Sequence, residues 1–399
     1  MLNLDAYRDL ITKCSQCQLC QTTCPVFLED MLETHLARAR IGLIQAAMLE
    51  GKMPVTRRLR EIVDRCLLCT NCTQTCPSWV PVDEIIAAAR FELHKGKRRG
   101  RIERYLMHQA MKQRGPKGLM EKAAPLAKKL GWSPEELPAP AERDFDHRFQ
   151  GVIPAEGARR ARVAYYVGCA TNAFYPETGE AVVRVLARNG VEVVVPEGLS
   201  CCGLPALVDG DLGTLQEMVR LNVGVLAALD VDAVVTDCTS CGLLFKAKAA
   251  KVLPEDDPVM ARAEALAGKV WEATDYLNHL GLVSEPGPLG ERYTYHVPCH
   301  RGWSPTLADA PRQLLDRVSG AERVEMEHPE ACCGAGGAFF MEYKALSQGI
   351  RSRKTEDIDR TGSETVVTQC PACRTYLAAG LPGRRVLHPM ALLARAYGF

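Results

Sequence analysis

The sequence predicts a mainly α-helical N-terminal domain followed by two duplicated α/β modules, each built on a parallel sheet. Three observations carry that expectation. Two short cysteine runs near the N-terminus are each followed by a stretch with helical apolar spacing. A five-cysteine pattern then occurs twice at a nearly constant offset. Around each copy, β-branched strands alternate with helical runs, the order expected of a parallel sheet with helices on its faces. A chain of 399 residues is too long for one core, and 47% hydrophobic with 24% charged residues is the balance of a folded protein. The expected divisions are 1–105 for the helical domain, 106–160 for a linker, 161–285 for the first module and 286–399 for the second.

The charges nearly cancel, with 49 Lys and Arg against 48 Asp and Glu, so nothing draws the whole chain to nucleic acid or an anionic membrane. The opening MLNLDAYRDLITKC lacks the basic flank and apolar run of a secretory signal, and nowhere do 18 apolar residues run together. The expectation is a cytoplasmic protein that reaches the inner face of the membrane only through a partner. Six cations between Lys95 and Arg104 form one basic stretch. Without stacking aromatics it reads as a solvated helix end or a docking point for an acidic partner, not a nucleic-acid site. From 131 to 160, four prolines and no periodicity mark a linker.

Eighteen cysteines in a chain with no export signal point to metal or redox chemistry rather than structural disulfides. The first eight stand in CSQCQLCQTTCP and CLLCTNCTQTCP, at 14, 17, 20 and 24 and at 66, 69, 72 and 76. Two, two and three residues separate successive cysteines and proline follows the last, which is the bacterial ferredoxin spacing. Three thiolates two residues apart wrap one face of a 4Fe–4S cubane, and the fourth leaves the loop for the other cluster. That assigns Cys14, Cys17, Cys20 and Cys76 to one cubane, and Cys66, Cys69, Cys72 and Cys24 to the second. Paired CxxC units also bind zinc, but seldom as a triple run closed by Cys-Pro.

Between the runs, LETHLARARIGLIQAAMLEG places Leu36, Ile41, Leu43, Ile44 and Met48 at three- and four-residue steps, a helix ending near Gly51 and Pro54. After the second run, VPVDEIIAAARFELHKG repeats the pattern, with Asp83 as the candidate cap. Two helices embedding two cubanes resemble the α-helical ferredoxin of succinate dehydrogenase iron–sulfur subunits.

The other ten cysteines stand at 169, 201, 202, 238 and 241, and at 299, 332, 333, 370 and 373. Equivalent positions are 130 (169 to 299), 131 (201 to 332) and 132 (238 to 370) residues apart. Each unit opens on a strand ending in cysteine (VAYYVGC; YTYHVPCH), carries a CCG (SCCGLP; ACCGAGG), and returns in a β-branched strand ending in CxxC (AVVTDCTSC; TVVTQCPAC). The cysteines therefore fall at strand C-terminal ends, where open α/β sheets hold their ligands. The two units are expected to face one another about a pseudo-twofold axis.

This doubled signature resembles the cysteine-rich CCG domain of heterodisulfide reductase catalytic subunits and of the iron–sulfur subunits of glycolate oxidase, lactate-utilisation and anaerobic glycerol-3-phosphate dehydrogenase complexes. The resemblance implies one non-cubane 4Fe–4S cluster on Cys169, Cys201, Cys202, Cys238 and Cys241, and another on Cys299, Cys332, Cys333, Cys370 and Cys373. A plain cubane with a spare thiol, or zinc in one module, is the alternative. Gly203 and Gly334 supply the permissive dihedrals that let adjacent cysteines share a cluster, and Gly336 and Gly337 let backbone approach it. The intact first CxxC favours the heterodisulfide-reductase branch, whereas RARIGLIQAAMLEG resembles the glycolate oxidase subunits.

His296, His300 and His328 near the second signature are candidates to hydrogen-bond a ligand sulfur or to deliver protons. GAGGAF at 334–339 does not fit GxGxxG and no Walker sequence occurs, so flavin and nicotinamide are expected on other chains. The resemblance implies an electron-transfer subunit that links a flavoprotein 2-hydroxyacid dehydrogenase to a quinone or cytochrome partner. The alternative is a catalytic subunit that reduces a disulfide at paired clusters. No catalytic residue is assigned.

Overall fold

The computed structural model describes residues 2–95 and 138–399. The basic stretch beyond Lys95 and the first part of the expected linker lie outside the described residues. Within residues 2–95 every regular element is helical. The first of the two expected helices is shorter than its apolar spacing predicts. Glu33–His35 forms a separate turn, Leu36 is extended, and the helix proper runs over Ala37–Ile44 before widening to a π turn at Gln45–Leu49. The break follows from His35, which is fully buried with its Nδ1 2.5 Å from Asp30 Oδ2. That tie belongs to the preceding helix, Pro25–Asp30.

The second expected helix, Val82–His94, is buried on nearly all sides. A helix buried on nearly every face lies inside a larger body with its polar side chains paired, and here it lies between the other N-terminal helices and the first module. Ile85 and Ile86 are fully buried, a contribution of roughly 2 kcal/mol each. Asp83 is not its cap. The helix starts at Val82 after Pro81, and the Asp83 carboxylate, in the first turn, accepts from Thr73 Oγ1 at 2.7 Å and from Lys248 Nζ at 2.6 Å.

Both modules have the expected parallel sheets. In the first, β2 (Ala161–Tyr166), β3 (Val191–Val195), β4 (Ala233–Thr236) and β5 (Val270–Glu272) lie in the order β3-β2-β4-β5. In the second, β6 (Glu291–Tyr295), β7 (Ala321–Arg323), β8 (Thr365–Val367) and β9 (Arg385–Leu387) lie in the equivalent order β7-β6-β8-β9. The duplication therefore extends to topology. Strands β3, β5, β7 and β9 are not among those the cysteine motifs predict, although VEVVV at 191–195 is β-branched enough to show the first of them.

The stretch read as linker also contributes structure. Phe145 is fully buried against Gly179, Phe149 and Tyr165, and β1 (Gly151–Ile153) joins β3 as an antiparallel edge. Three residues opposite an already β-branched strand carry too little pattern to be read from sequence alone.

The helical domain is not a tethered bead. One apolar cluster joins Ile85, Ile86 and Phe91 to Leu204, Leu207, Met218 and Leu244 of the first module. Another joins Phe27, Leu36 and Leu67 to Phe339 and Ile350 of the second. A third, through Tyr165, Val193, Tyr293 and Leu392, binds the two modules to each other. No helix among the described residues is long and apolar enough to cross a membrane.

Candidate metal centres

Each N-terminal cysteine run folds into a loop with residues in the left-handed region at matching places. Gln16 (φ 56°) and Gln18 (φ 68°) flank Cys17, and Leu68 (φ 51°) and Thr70 (φ 60°) flank Cys69. None is glycine, so each costs about 1–2 kcal/mol. Alternating hands along a loop turn successive N–H groups to one side, forming a nest for an anion. Leu68 N already points at Cys66 Sγ, 3.4 Å away. Strain repeated at the same positions in two separate loops fits a bound, sulfide-rich anion.

The structure brings Cys24 beside the second run. It is buried, Cys66 and Cys69 lie near enough to act on it electrostatically, and burial pushes its thiol up to about 11. Cys72 likewise feels Cys69, Cys66 and Cys24. Cys14 and Cys17 act on Cys20 in the same way, and Cys17 is exposed. The short helices Leu19–Thr23 and Asn71–Thr75, which lead into Cys24 and Cys76, pack on each other.

In the first module all five cysteines converge. Cys169 Sγ lies 3.4 Å from Cys201 Sγ. Cys202 accepts hydrogen bonds from Cys201 and Cys241, which lowers its thiol to about 5, and Cys241 also meets Cys238. The second module repeats this. Cys299 meets Cys332, Cys333 Sγ lies 3.3 Å from Cys373 Sγ, and Cys370 meets Cys373. Cys333, the counterpart of Cys202, is likewise held well below the usual thiol range by hydrogen bonds from Cys332 and Cys373. Buried cysteine sulfurs converging on one point are the ligand chemistry of a soft metal centre.

The four groups are contiguous. Cys69 of the second run is in hydrogen-bond contact with Cys332 of the second module. Cys370 of the second module is in contact with Cys238 of the first. The run is seated on the module by Thr70 Oγ1 and Gln74 Nε2, which donate to Cys299 O at 3.1 and 2.9 Å. Gly336 is open for this contact, since a Cβ there would stand 2.2 Å from Leu67. The backbone approach expected of that glycine is thus to the neighbouring cysteine loop.

The two CxxC motifs face each other across the modules, with Thr239 N donating to Gln369 O at 3.0 Å. The reciprocal bond cannot form, because Pro371 stands where Thr239 does and has no N–H. His300 occupies the junction of all three parts, its Nε2 3.0 Å from Leu68 O and its Nδ1 2.9 Å from Ser240 Oγ. Burial lowers its pKa. His296 is fully buried near Cys333 and Cys373, whereas the His328 side chain is 70% exposed and takes no part in the site.

Several supporting residues carry little signal in the sequence. Arg90 is buried and donates to Val63 O, Asp64 O and Cys66 O, fixing the second run, and to Val208 O of the first module at 2.5 Å. A lone cation within IIAAARF is its only mark. Lys248, at the end of the π turn Leu244–Lys248, meets Asp83 and Glu84, and Glu84 also accepts from Lys251 and Tyr7. Burial raises both carboxyls, but the Lys248 charge and its hydrogen bonds outweigh it and hold both below the usual carboxylate range.

Comparison with known proteins agrees with this geometry. A model of the 4Fe–4S dicluster domain matches residues 10–80, and a model of the cysteine-rich domain matches twice, at 163–246 and 293–378. The chain is 28% identical over 421 aligned positions to the "Probable glycolate oxidase iron-sulfur subunit" of Bacillus subtilis, spanning 97% of this chain and 94% of that one. It is 27% identical to a fumarate reductase (CoM/CoB) subunit of Methanothermobacter marburgensis (96% and 72%) and 33% identical to "Lactate utilization protein A" of Shouchella clausii (51% and 85%). A crystal structure of a hypothetical protein from Helicobacter pylori shares the fold, with a TM-score of 0.56 at 9% identity over 91% of this chain and 68% of that one. The chain belongs to the family of iron–sulfur proteins that join a 4Fe–4S dicluster domain to a pair of cysteine-rich domains.

Proposed function

We propose that the chain is the electron-transfer subunit of a multisubunit oxidoreductase, carrying electrons from a flavoprotein that oxidises a small 2-hydroxy acid of the glycolate or lactate type toward a quinone or cytochrome partner. Cys14, Cys17, Cys20 and Cys76 hold one cubane and Cys66, Cys69, Cys72 and Cys24 the second. Each module's five cysteines hold a further 4Fe–4S cluster of non-cubane form. Bound there, these groups supply one-electron storage. The observation that carries the reading is the contiguity of the sulfur sites, from Cys24 through Cys69 and Cys332 to Cys370 and Cys238. The protein's part is to bury the inner sites, keep them adjacent, and leave one edge at the surface for exchange.

A second reading, reduction of a disulfide between the modules, is favoured by the meeting of Cys238 and Cys370 from two complete signatures. Anaerobic purification distinguishes the two. The relay holds about sixteen irons per chain, and its visible absorbance bleaches on adding glycolate or lactate with the cognate flavoprotein present, not without it. Re-oxidation of the isolated, dithionite-reduced chain by an organic disulfide supports the second reading. Zinc in place of four irons removes the cluster from one module.

A further inference from the structure

The two modules are alike in topology and cysteine placement, yet three positions beside their cysteine sites differ. Three residues before the first cysteine stands Tyr166 in one module and His296 in the other. Immediately before CCG stands Ser200 or Ala331, and sixteen residues before CxxC stands Asn222 or Lys354.

In the first module these residues satisfy one another. Tyr166 Oη donates to Ser200 O at 2.7 Å, and Asn222 Oδ1 accepts from Ser200 N at 2.8 Å. Asn222 Nδ2 donates to Cys201 O at 2.9 Å. The tyrosine's proton is committed to backbone. In the second module the shorter imidazole reaches no such carbonyl. His296 is fully buried and neither Nδ1 nor Nε2 has a hydrogen-bond partner. A ring nitrogen of His296 and the Sγ atoms of Cys333 and Cys373 all lie within 4.8 Å of one another. Lys354, also buried, donates to His328 O at 2.5 Å and lies near the same two cysteines.

A neutral imidazole always carries one N–H, and leaving it unmet in the interior costs about 1–3 kcal/mol. The group that would meet it is whatever Cys333 and Cys373 bind. We propose that His296 donates a ring N–H hydrogen bond to a sulfur of the iron–sulfur cluster held by the second module, and that this bond, absent from the first module, places the second cluster at the higher reduction potential of the pair. The inference rests on the reading that both modules bind 4Fe–4S clusters. Hydrogen bonds to cluster sulfur disperse the charge added on reduction and so favour the reduced form. His296 acts through the cluster as a tuning residue. Electrons arriving by way of Cys69 then rest first in the second module.

The test uses the full chain carrying Cys202→Ser and Cys241→Ser, which leaves one five-cysteine site. His296→Phe in that background is expected to keep its iron and to weaken one-electron reduction of the site about tenfold, ~59 mV. His296→Gln, which keeps an N–H, is expected to lose less. In protein with ¹⁵N-labelled histidine and His296 intact, pulsed EPR of the reduced site should show a weak nitrogen coupling. An unchanged potential in His296→Phe, a coupling of ligand strength, absence of coupling, or loss of iron in both variants overturns the proposal. A parent chain with no iron at its five-cysteine sites refutes the four-cluster reading instead, and iron analysis separates that result from failure of this inference.

Discussion

The two cysteine-rich modules show how one fold, used twice, comes to hold unequal sites. Their strand orders match and their five cysteines converge in the same sequence of contacts, yet their surroundings differ. The first module closes its polar groups on its own backbone through Tyr166, Ser200 and Asn222, whereas the second aims an unpartnered imidazole at its cysteines. Their links to the helical domain differ as well. The first module anchors it through the buried cluster of Lys248, Asp83 and Glu84. The second receives it through half-exposed Arg353, which donates to Leu28 O and Pro25 O, and through the contact of Cys69 with Cys332. Duplication thus preserved the scaffold while side chains at a few facing positions divided the two modules, one satisfied on its own backbone and the other not.

The largest expected effect tests that division. Replacing Cys333 and Cys373 by serine should remove about four irons and slow reduction of the first module from the helical domain, because it breaks the proposed path through Cys69, Cys332, Cys370 and Cys238. Replacing Cys202 and Cys241 should remove as many irons yet leave the second module reducible. Freeze-quench EPR after adding reductant and partner reads both. Equal effects from the two pairs would abolish the distinction.

Next in size is the ionic anchor. Lys248→Met leaves Asp83 buried without its cation and Glu84 with Lys251 alone, which is expected to cost about 3–5 kcal/mol, against about 0–1 kcal/mol for the half-exposed ion pair with Glu29 lost in Arg353→Met, each read from denaturant melts of the anaerobic protein. The same anchor sets a pH dependence. Asp83 and Glu84 have folded values below their unfolded ones, so their contribution is complete above about pH 4 and is lost as pH falls through the depressed values. The wild type should therefore lose stability more steeply in acid than Lys248→Met does.

A smaller difference lies in the turns after the paired cysteines. Gly203 (φ 96°) and Gly334 (φ 92°) are both left-handed, so alanine costs about 1–2 kcal/mol at either. A Cβ at 203 would meet the movable end of Leu215, whereas one at 334 would meet Ser347 O, each at 2.8 Å. Gly334→Ala is expected to be the more destabilising, measured by thermal melting and iron retention. Smallest is Tyr166→Phe, which forfeits one hydrogen bond, about 1 kcal/mol, and should leave iron content unchanged.

Much of this is legible in the sequence because cysteine spacing and strand periodicity are local. The ferredoxin runs, the doubled signature and the strands that end on cysteines can all be read directly. What is not legible depends on neighbours distant in sequence. β1 is three residues long and exists only against β3. Asp83 occupies a helix start, where local pattern indicates a cap, and only Lys248, 165 residues away, explains its burial. Arg90 reads as a surface cation until four carbonyls are found around it.

By itself, the chain's order of residues determined which thiols are close enough along the backbone to share a metal, because two- and three-residue spacings leave a loop few ways to fold. It also determined that the α/β unit is repeated. Only tertiary packing decided that Cys69 meets Cys332, that Cys238 meets Cys370, and that His296 has no partner where Tyr166 has one. These depend on how apolar faces formed by residues far apart in sequence fit together, and burial then makes each polar contact, or its absence, energetically decisive.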